Sequence, residues 1–230
     1  MLRKCCAAEC IGTFMLVFAG TGAIIINALT GEITSMGIAL TFGFTVAILI
    51  YCLGNVSGAH LNPAVTVALA LTGKFEPKKT LPYIASQLFG SILASITLLF
   101  LFGKVSNLGA TQPRYGWQQS FVLEFILTFF LMFVIMAVIM HKHGIGMSAA
   151  AIGAAVGLDA MFGGPISGAS MNPARSLGPA LVSATFTNQW IYLIAPLGGA
   201  ILAAFLYRLL FKENNIELSV EKEISSKGVL

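Results

Sequence analysis

The sequence predicts an all-α membrane protein: six spanning helices plus two half-length re-entrant helices, arranged as an inverted repeat. Three observations carry that prediction. The 230 residues are 57% hydrophobic and 10% charged, whereas an ordinary soluble domain is roughly a quarter charged. Six apolar segments have about the ~20 residues needed to cross a ~30 Å hydrocarbon core. An eight-residue string recurs with two changes, each time opening an apolar segment too short to span.

The six segments are 5–29, 36–53, 82–102, 121–140, 146–161 and 189–211, separated by polar, Gly-rich or charged stretches. The first follows Arg3 and Lys4 as a signal peptide would. It continues past Glu9 well beyond the ~7–15 residues of a signal core, so it reads as a retained span. Segments 63–71 and 173–182 are each about ten residues, ~15 Å of helix, which is half the membrane.

The repeat is visible residue by residue. Ala8-Glu9-Cys10-Ile11-Gly12-Thr13-Phe14 aligns with Leu123-Glu124-Phe125-Ile126-Leu127-Thr128-Phe129. Ser57-Gly58-Ala59-His60-Leu61-Asn62-Pro63-Ala64 matches Ser167-Gly168-Ala169-Ser170-Met171-Asn172-Pro173-Ala174. The chain thus reads as one domain over 1–211, with repeats of about 1–115 and 116–211, followed by a flexible tail over 212–230. Three spans per half is an odd number, so the halves must enter the membrane with opposite orientation. Arg3, Lys4, Lys74, Lys78, Lys79, Lys142, Arg208 and the tail lysines fall on one side, against Lys104 and Arg114 on the other. The positive-inside rule then puts both termini in the cytoplasm.

Asn is a favoured helix cap and Pro a favoured first helical residue, so each Asn-Pro-Ala reads as a helix start. In an inverted repeat these half-helices meet N-terminus to N-terminus near the midplane, where their dipoles repel a cation or proton. The stretches before them, 54–61 and 163–171, are expected to be irregular, with carbonyls lining a wet cavity. Capping occupies the Asn62 and Asn172 oxygens and leaves their NH₂ donors free.

The composition also excludes much. The net charge of +4 is scattered rather than gathered in a basic stripe, so no nucleic-acid partner is expected. Cys5, Cys6, Cys10 and Cys52 lack paired metal-ligand spacing, and neither metal nor cofactor is expected. A secondary transporter with inverted repeats would need ion-coordinating groups at the midplane, where this sequence offers two Asn. No nucleophile–base set converges at one depth, which argues against an enzyme.

The paired Asn-Pro-Ala motifs, the second continuing into Arg175-Ser176, and the two Glu-anchored opening spans resemble the aquaporin or major intrinsic protein superfamily over almost the whole chain. The resemblance implies a pore in every subunit, a homotetramer, and a passive passage for water and small uncharged solutes through the plasma membrane. It also implies an outer constriction at Phe42, Ala160, Ala169 and Arg175, with a midplane at Asn62, Pro63, Ala64, Asn172, Pro173 and Ala174. Water-selective members carry His at the second constriction position, where Ala160 stands here. The strings 51–60 and 163–171 are similar to the plant nodulin-like subgroup, whose members pass glycerol, urea and neutral metalloid acids. Ser176 and Ala180 match the water-channel pattern, which leaves a strictly water-selective channel as the alternative.

The remaining polar residues get structural or open readings. Glu9 and Glu124 are expected to accept hydrogen bonds from the re-entrant loops. His60 either braces a loop or lines the inner vestibule. Asp159 has no counterpart in the first half; it is either a loop-facing acceptor or a vestibule charge. His141 and His143 read as solvated loop residues.

Overall fold

The spans lengthen to their true breakers in the computed structural model, which describes residues 2–141 and 143–226, with side-chain surroundings through 211. Among the described residues there are eight α-helices and no strand. They are α1 Leu2–Thr30, α2 Thr34–Ser57, α3 Pro63–Leu71, α4 Thr80–Phe102, α5 Trp117–Met140, α6 Ile145–Ser167, α7 Pro173–Ser183 and α8 Ile191–Ser226. Six of them are long and apolar enough to cross a membrane, while α3 and α7 have 9 and 11 residues.

Two boundaries differ from expectation for one reason. Helices α2 and α6 run through Gly54 and through Gly163, Gly164 and Pro165, all of which read as breakers. A Cβ on Gly54 would press on Ile145, and one on Gly163 would collide with Leu127, so close packing rather than chain reversal explains these glycines. Pro165 lies in the last turn, where it removes a single helical donor. The real stops are Gly58 and Gly168, with φ of 88° and 90°, in the left-handed conformation that ends many helices. At the other end, α8 continues past the expected tail boundary to Ser226. Lys142, the side chains of 212–226 and residues 227–230 lie outside the described residues.

The packing maps onto itself when the halves are exchanged. Helix α1 packs on α2 and α4 as α5 packs on α6 and α8, α4 touches α7 as α8 touches α3, and α2 meets α6 across the centre. A Cβ on Gly90 would strike the Cys10 carbonyl, and one on Gly199 the Phe125 carbonyl, so both long pairs approach backbone to backbone. Tyr83 Oη donates to the Ser57 carbonyl at 2.9 Å, and Tyr192 Oη to the Ser167 carbonyl at 2.7 Å. Large apolar side chains including Phe44, Phe100 and Phe162 stay exposed on the outside. Lipid, not water, is the solvent that such a surface suits.

Candidate pore and selectivity site

Each half-helix starts as its sequence dictates. Asn62 Oδ1 accepts from the Ala64 N–H at 2.9 Å, and Asn172 Oδ1 from Ala174 at 3.0 Å and Arg175 at 3.3 Å, with Pro63 and Pro173 next in the chain. The NH₂ groups are not wholly free, contrary to expectation. Asn62 Nδ2 donates to the Met171 carbonyl at 2.7 Å, and Asn172 Nδ2 to the Leu61 carbonyl at 2.8 Å. The inverted loops meet so closely that each amide spends one hydrogen on the other loop and keeps one for the cavity, which both Asn residues line.

Behind each loop stands a buried glutamate. Glu9 Oε1 accepts from Ser57 Oγ and the His60 N–H, and its Oε2 accepts from the Leu61 N–H and Gln87 Nε2, all within 2.9 Å. Glu124 Oε1 accepts from Ser167 Oγ and the Ser170 N–H, and its Oε2 from the Met171 N–H, all within 2.8 Å. Across a trans peptide the N–H and the preceding C=O point in opposite directions. Holding the amides of residues 60, 61, 170 and 171 on the glutamates therefore turns the carbonyls of Ala59, His60, Ala169 and Ser170 away from them. These four residues line the cavity. The turn is made possible by left-handed φ values of 47°, 51°, 40° and 52° at Ala59, Leu61, Ala169 and Met171.

Two cavities lie end to end. The inner, of about 500 Å³, runs past His60, Asn62 and Asn172 between apolar walls that include Val46, Ile50, Leu131 and Val156. The outer, of about 310 Å³, is lined by Ser35, Gln112, Arg114 and the segment from Gly109 to Thr111, among others. Both are bounded by Phe42, Ala160 and Arg175, and no other residue lines the two. Ala169 lines the inner one. The waist between the cavities thus contains three of the four residues expected at the constriction.

Arg175 is 2% exposed and makes no ion pair among the described residues. Its Nη1 donates to the Gly109 carbonyl at 2.8 Å, its guanidinium carbon lies 5.2 Å from the centre of the Phe42 ring, and its Nε has no hydrogen-bond partner among the described residues. The cation–π contact holds charge and ring together at the waist. Gly109 ends a run with positive φ from Ser106 through Leu108. Left-handed non-Gly residues cost roughly 1–2 kcal/mol each, so this segment depends on bonds from outside to keep its shape.

The other singled-out residues fall as follows. His60 lines the inner cavity, its Nδ1 lies 3.2 Å from Thr66 Oγ1, and its ring packs on Phe75 and Tyr83. Both readings of His60 therefore have a geometric basis. Asp159 is buried, lines neither of these cavities, and has no hydrogen-bond partner for Oδ2 among the described residues. His143 is exposed and lines the inner mouth, and His141 Nε2 lies 3.0 Å from Tyr207 Oη. Sequence reasoning missed Gln87, Tyr83, Tyr192, Thr111 and Thr66, and read Ser176 as part of the water-channel pattern rather than as a hydrogen-bond partner of Thr111 and Ser170. A signal existed for Thr66 and Ser176, since each stands four residues after its Asn. None existed for Thr111, which lies outside the repeated strings.

Six spans around a broken seventh, with two cavities that meet at Phe42, Ala160 and Arg175, define a membrane channel. The family model for major intrinsic protein matches residues 1–207, and the chain belongs to that family. It is a multi-pass integral membrane protein, a channel for water and small neutral solutes. It is 43% identical to aquaporin NIP1-1 of Zea mays over 95% of this chain and 78% of that protein. It is 45% identical to aquaporin NIP1-2 of Arabidopsis thaliana over 88% of this chain and 72% of that one. The aquaglyceroporin of Plasmodium falciparum has a similar solved structure, with a TM-score of 0.84 at 26% identity, covering 90% of this chain and 96% of that one.

Proposed function

We propose that selection occurs at the waist of Phe42, Ala160, Ala169 and Arg175, and that the channel passes solutes of glycerol, urea or neutral-metalloid-acid size as well as water. Protons and ions are excluded by Arg175 and by the half-helix N-termini at Asn62-Pro63-Ala64 and Asn172-Pro173-Ala174. Glu9, Glu124 and His60 support the loops. The channel works as a homotetramer in the plasma membrane with both termini cytoplasmic, a reading that rests on the family resemblance and on the basic residues gathered on one side.

One observation carries the selectivity reading: of the three residues bounding both cavities, one is alanine. Ala160 supplies a methyl group where a ring would close the opening, while Arg175 and the loop carbonyls still offer hydrogen bonds to hydroxyl groups. Relatives named aquaporin NIP and the likeness to an aquaglyceroporin agree with a passage that admits a carbon skeleton.

The test is a solute panel on the purified protein in liposomes, followed by stopped-flow light scattering. Glycerol, urea or boric acid should enter faster than into protein-free vesicles, and Ala160→His should suppress that entry more than it suppresses water. Fast water flux with no solute entry above the controls would show a strictly water-selective channel and overturn this reading of Ala160.

A further inference from the structure

Behind the waist, three buried hydroxyls form a chain with a single direction. Ser170 Oγ donates to the Asn172 carbonyl at 2.9 Å, Ser170 Oγ contacts Ser176 Oγ, and Thr111 Oγ1 donates to Ser176 Oγ at 2.8 Å. A hydroxyl has one proton to give. With the Ser170 proton on Asn172, Ser176 must donate to Ser170, and Thr111 to Ser176. None of the three is more than 4% exposed, so removing Thr111 leaves the buried Ser176 hydroxyl without its donor and frees the segment that carried it.

The first half solves the same problem differently. Thr66 Oγ1 donates to the Asn62 carbonyl at 2.8 Å, as Ser170 does to that of Asn172, and receives its own donor from Gln87 Nε2 at 3.0 Å. Gln87 lies on α4, four residues after Tyr83. The corresponding place on α8, four residues after Tyr192, holds Pro196. Proline has no side-chain donor. The missing donor comes instead from Thr111, in the segment connecting the two halves.

That recruitment has a consequence for the waist. Thr111 lies two residues after Gly109, whose carbonyl takes the Nη1 proton of Arg175, and its own carbonyl is held by Gln189 Nε2 at 2.8 Å. We propose that Thr111 is a specificity-determining positioning residue: through Ser176 and Ser170 it fixes the Gly109 carbonyl, and with it the place of the Arg175 guanidinium. The inference rests on the reading of Arg175 as part of the constriction.

Thr111→Val keeps the shape and removes the hydroxyl, whereas Thr111→Ser keeps the hydroxyl and removes the methyl. In liposomes, Thr111→Val should raise the ratio of glycerol to water permeability by about fivefold, the change in an equilibrium expected from losing one ordinary buried hydrogen bond. Thr111→Ser should stay near the wild-type ratio. Ser176→Ala lines neither cavity, so its effect can reach the solute only through the chain. It should shift the ratio the same way, and the double variant no further than the larger single. If Thr111→Val does not insert, Ser176→Ala carries the test.

Water and glycerol falling together at a constant ratio would reduce Thr111 to a structural role and overturn the proposal. So would equal effects of Val and Ser at 111. Arg175→Val serves as the control. If it leaves the ratio at the wild-type value, the constriction reading itself fails; if it shifts the ratio while Thr111→Val and Ser176→Ala do not, only the Thr111 inference fails.

Discussion

The two re-entrant loops share a plan but differ in what stands behind them. On the first loop, Glu9 gathers four donors, and His60 sits in a box of Phe75, Tyr83 and Thr66 that belongs to α3, α4 and the turn between them. On the second, Glu124 gathers three donors, Ser170 replaces the imidazole, and Thr111 arrives from the long connection between α4 and α5, outside the repeated strings. Three residues after the first Asn stands Val65, and three after the second stands Arg175. The duplicated frame fixes where the loops lie, and the departures from symmetry put an apolar Val65 on one half-helix and the buried Arg175 cation on the other. In the constriction proposed above, selectivity turns on Arg175, which the first loop lacks.

The strongest way to break that comparison is to make the second loop resemble the first. Arg175→Val places at 175 the residue that stands at 65. It removes a fixed positive charge and a wall of the waist from a site of low dielectric. Proton or cation leak, read with a pH-sensitive dye inside liposomes, should rise well above the wild-type rate. A folded variant with unchanged leak would place the ion barrier at the half-helix termini alone.

The glutamates should matter more to folding than to selectivity, and unequally. Glu9→Ala removes the acceptor of four donors and Glu124→Ala of three, at about 1–3 kcal/mol for each buried donor left without a partner. Both variants should lower the thermal midpoint in detergent, Glu9→Ala by more. The reverse order would mean that the outer loop leans on its glutamate more heavily than the bond count implies.

How much of this the sequence disclosed follows the same division. The six spans were legible from length and apolarity, and features that occur twice were legible from matched strings: the half-helices opening at Pro63 and Pro173, the capping by Asn62 and Asn172, and the paired glutamates. Gly54 and Gly163 misled because a glycine required by close packing looks the same in sequence as one that ends a helix, and Pro165 because a proline in a helix's last turn looks like one that breaks it. Of the residues proposed for the constriction, Phe42 and Ala160 carry little chemistry of their own, being ordinary apolar residues until two cavities meet at them. Thr111 was invisible because its role depends on a proline at 196, far along the chain, failing to do what Gln87 does. Side chains that hold a loop from another element leave no local pattern.

Smaller effects test whether the shared frame is truly shared. Asn62→Ala and Asn172→Ala each remove a cap worth about 0.5–2 kcal/mol and a donor to the opposite loop. Each should lower water permeability, and because each donates to the other's loop, the double variant should cost less than the two singles added. Strict additivity in thermal midpoints would show that the cross-loop bonds do not couple the halves.

The smallest effect belongs to the two tyrosines that pin the ends of α2 and α6. Tyr83→Phe and Tyr192→Phe each delete one hydrogen bond to a serine carbonyl, leave the ring in place and change no charge. A typical bond of this kind contributes about 0.5–1.5 kcal/mol. Both serine carbonyls sit immediately before the left-handed glycine that starts a re-entrant loop, so the two losses should lower the thermal midpoint equally and leave the glycerol-to-water ratio unchanged. The aromatic box around His60 does not upset this equality, because Tyr83→Phe keeps the ring that packs there. A change in the ratio with Tyr192→Phe alone would show that strain at the end of α6 reaches Ala160 and Ala169. The waist would then be set from α6 as well as from the connection carrying Thr111.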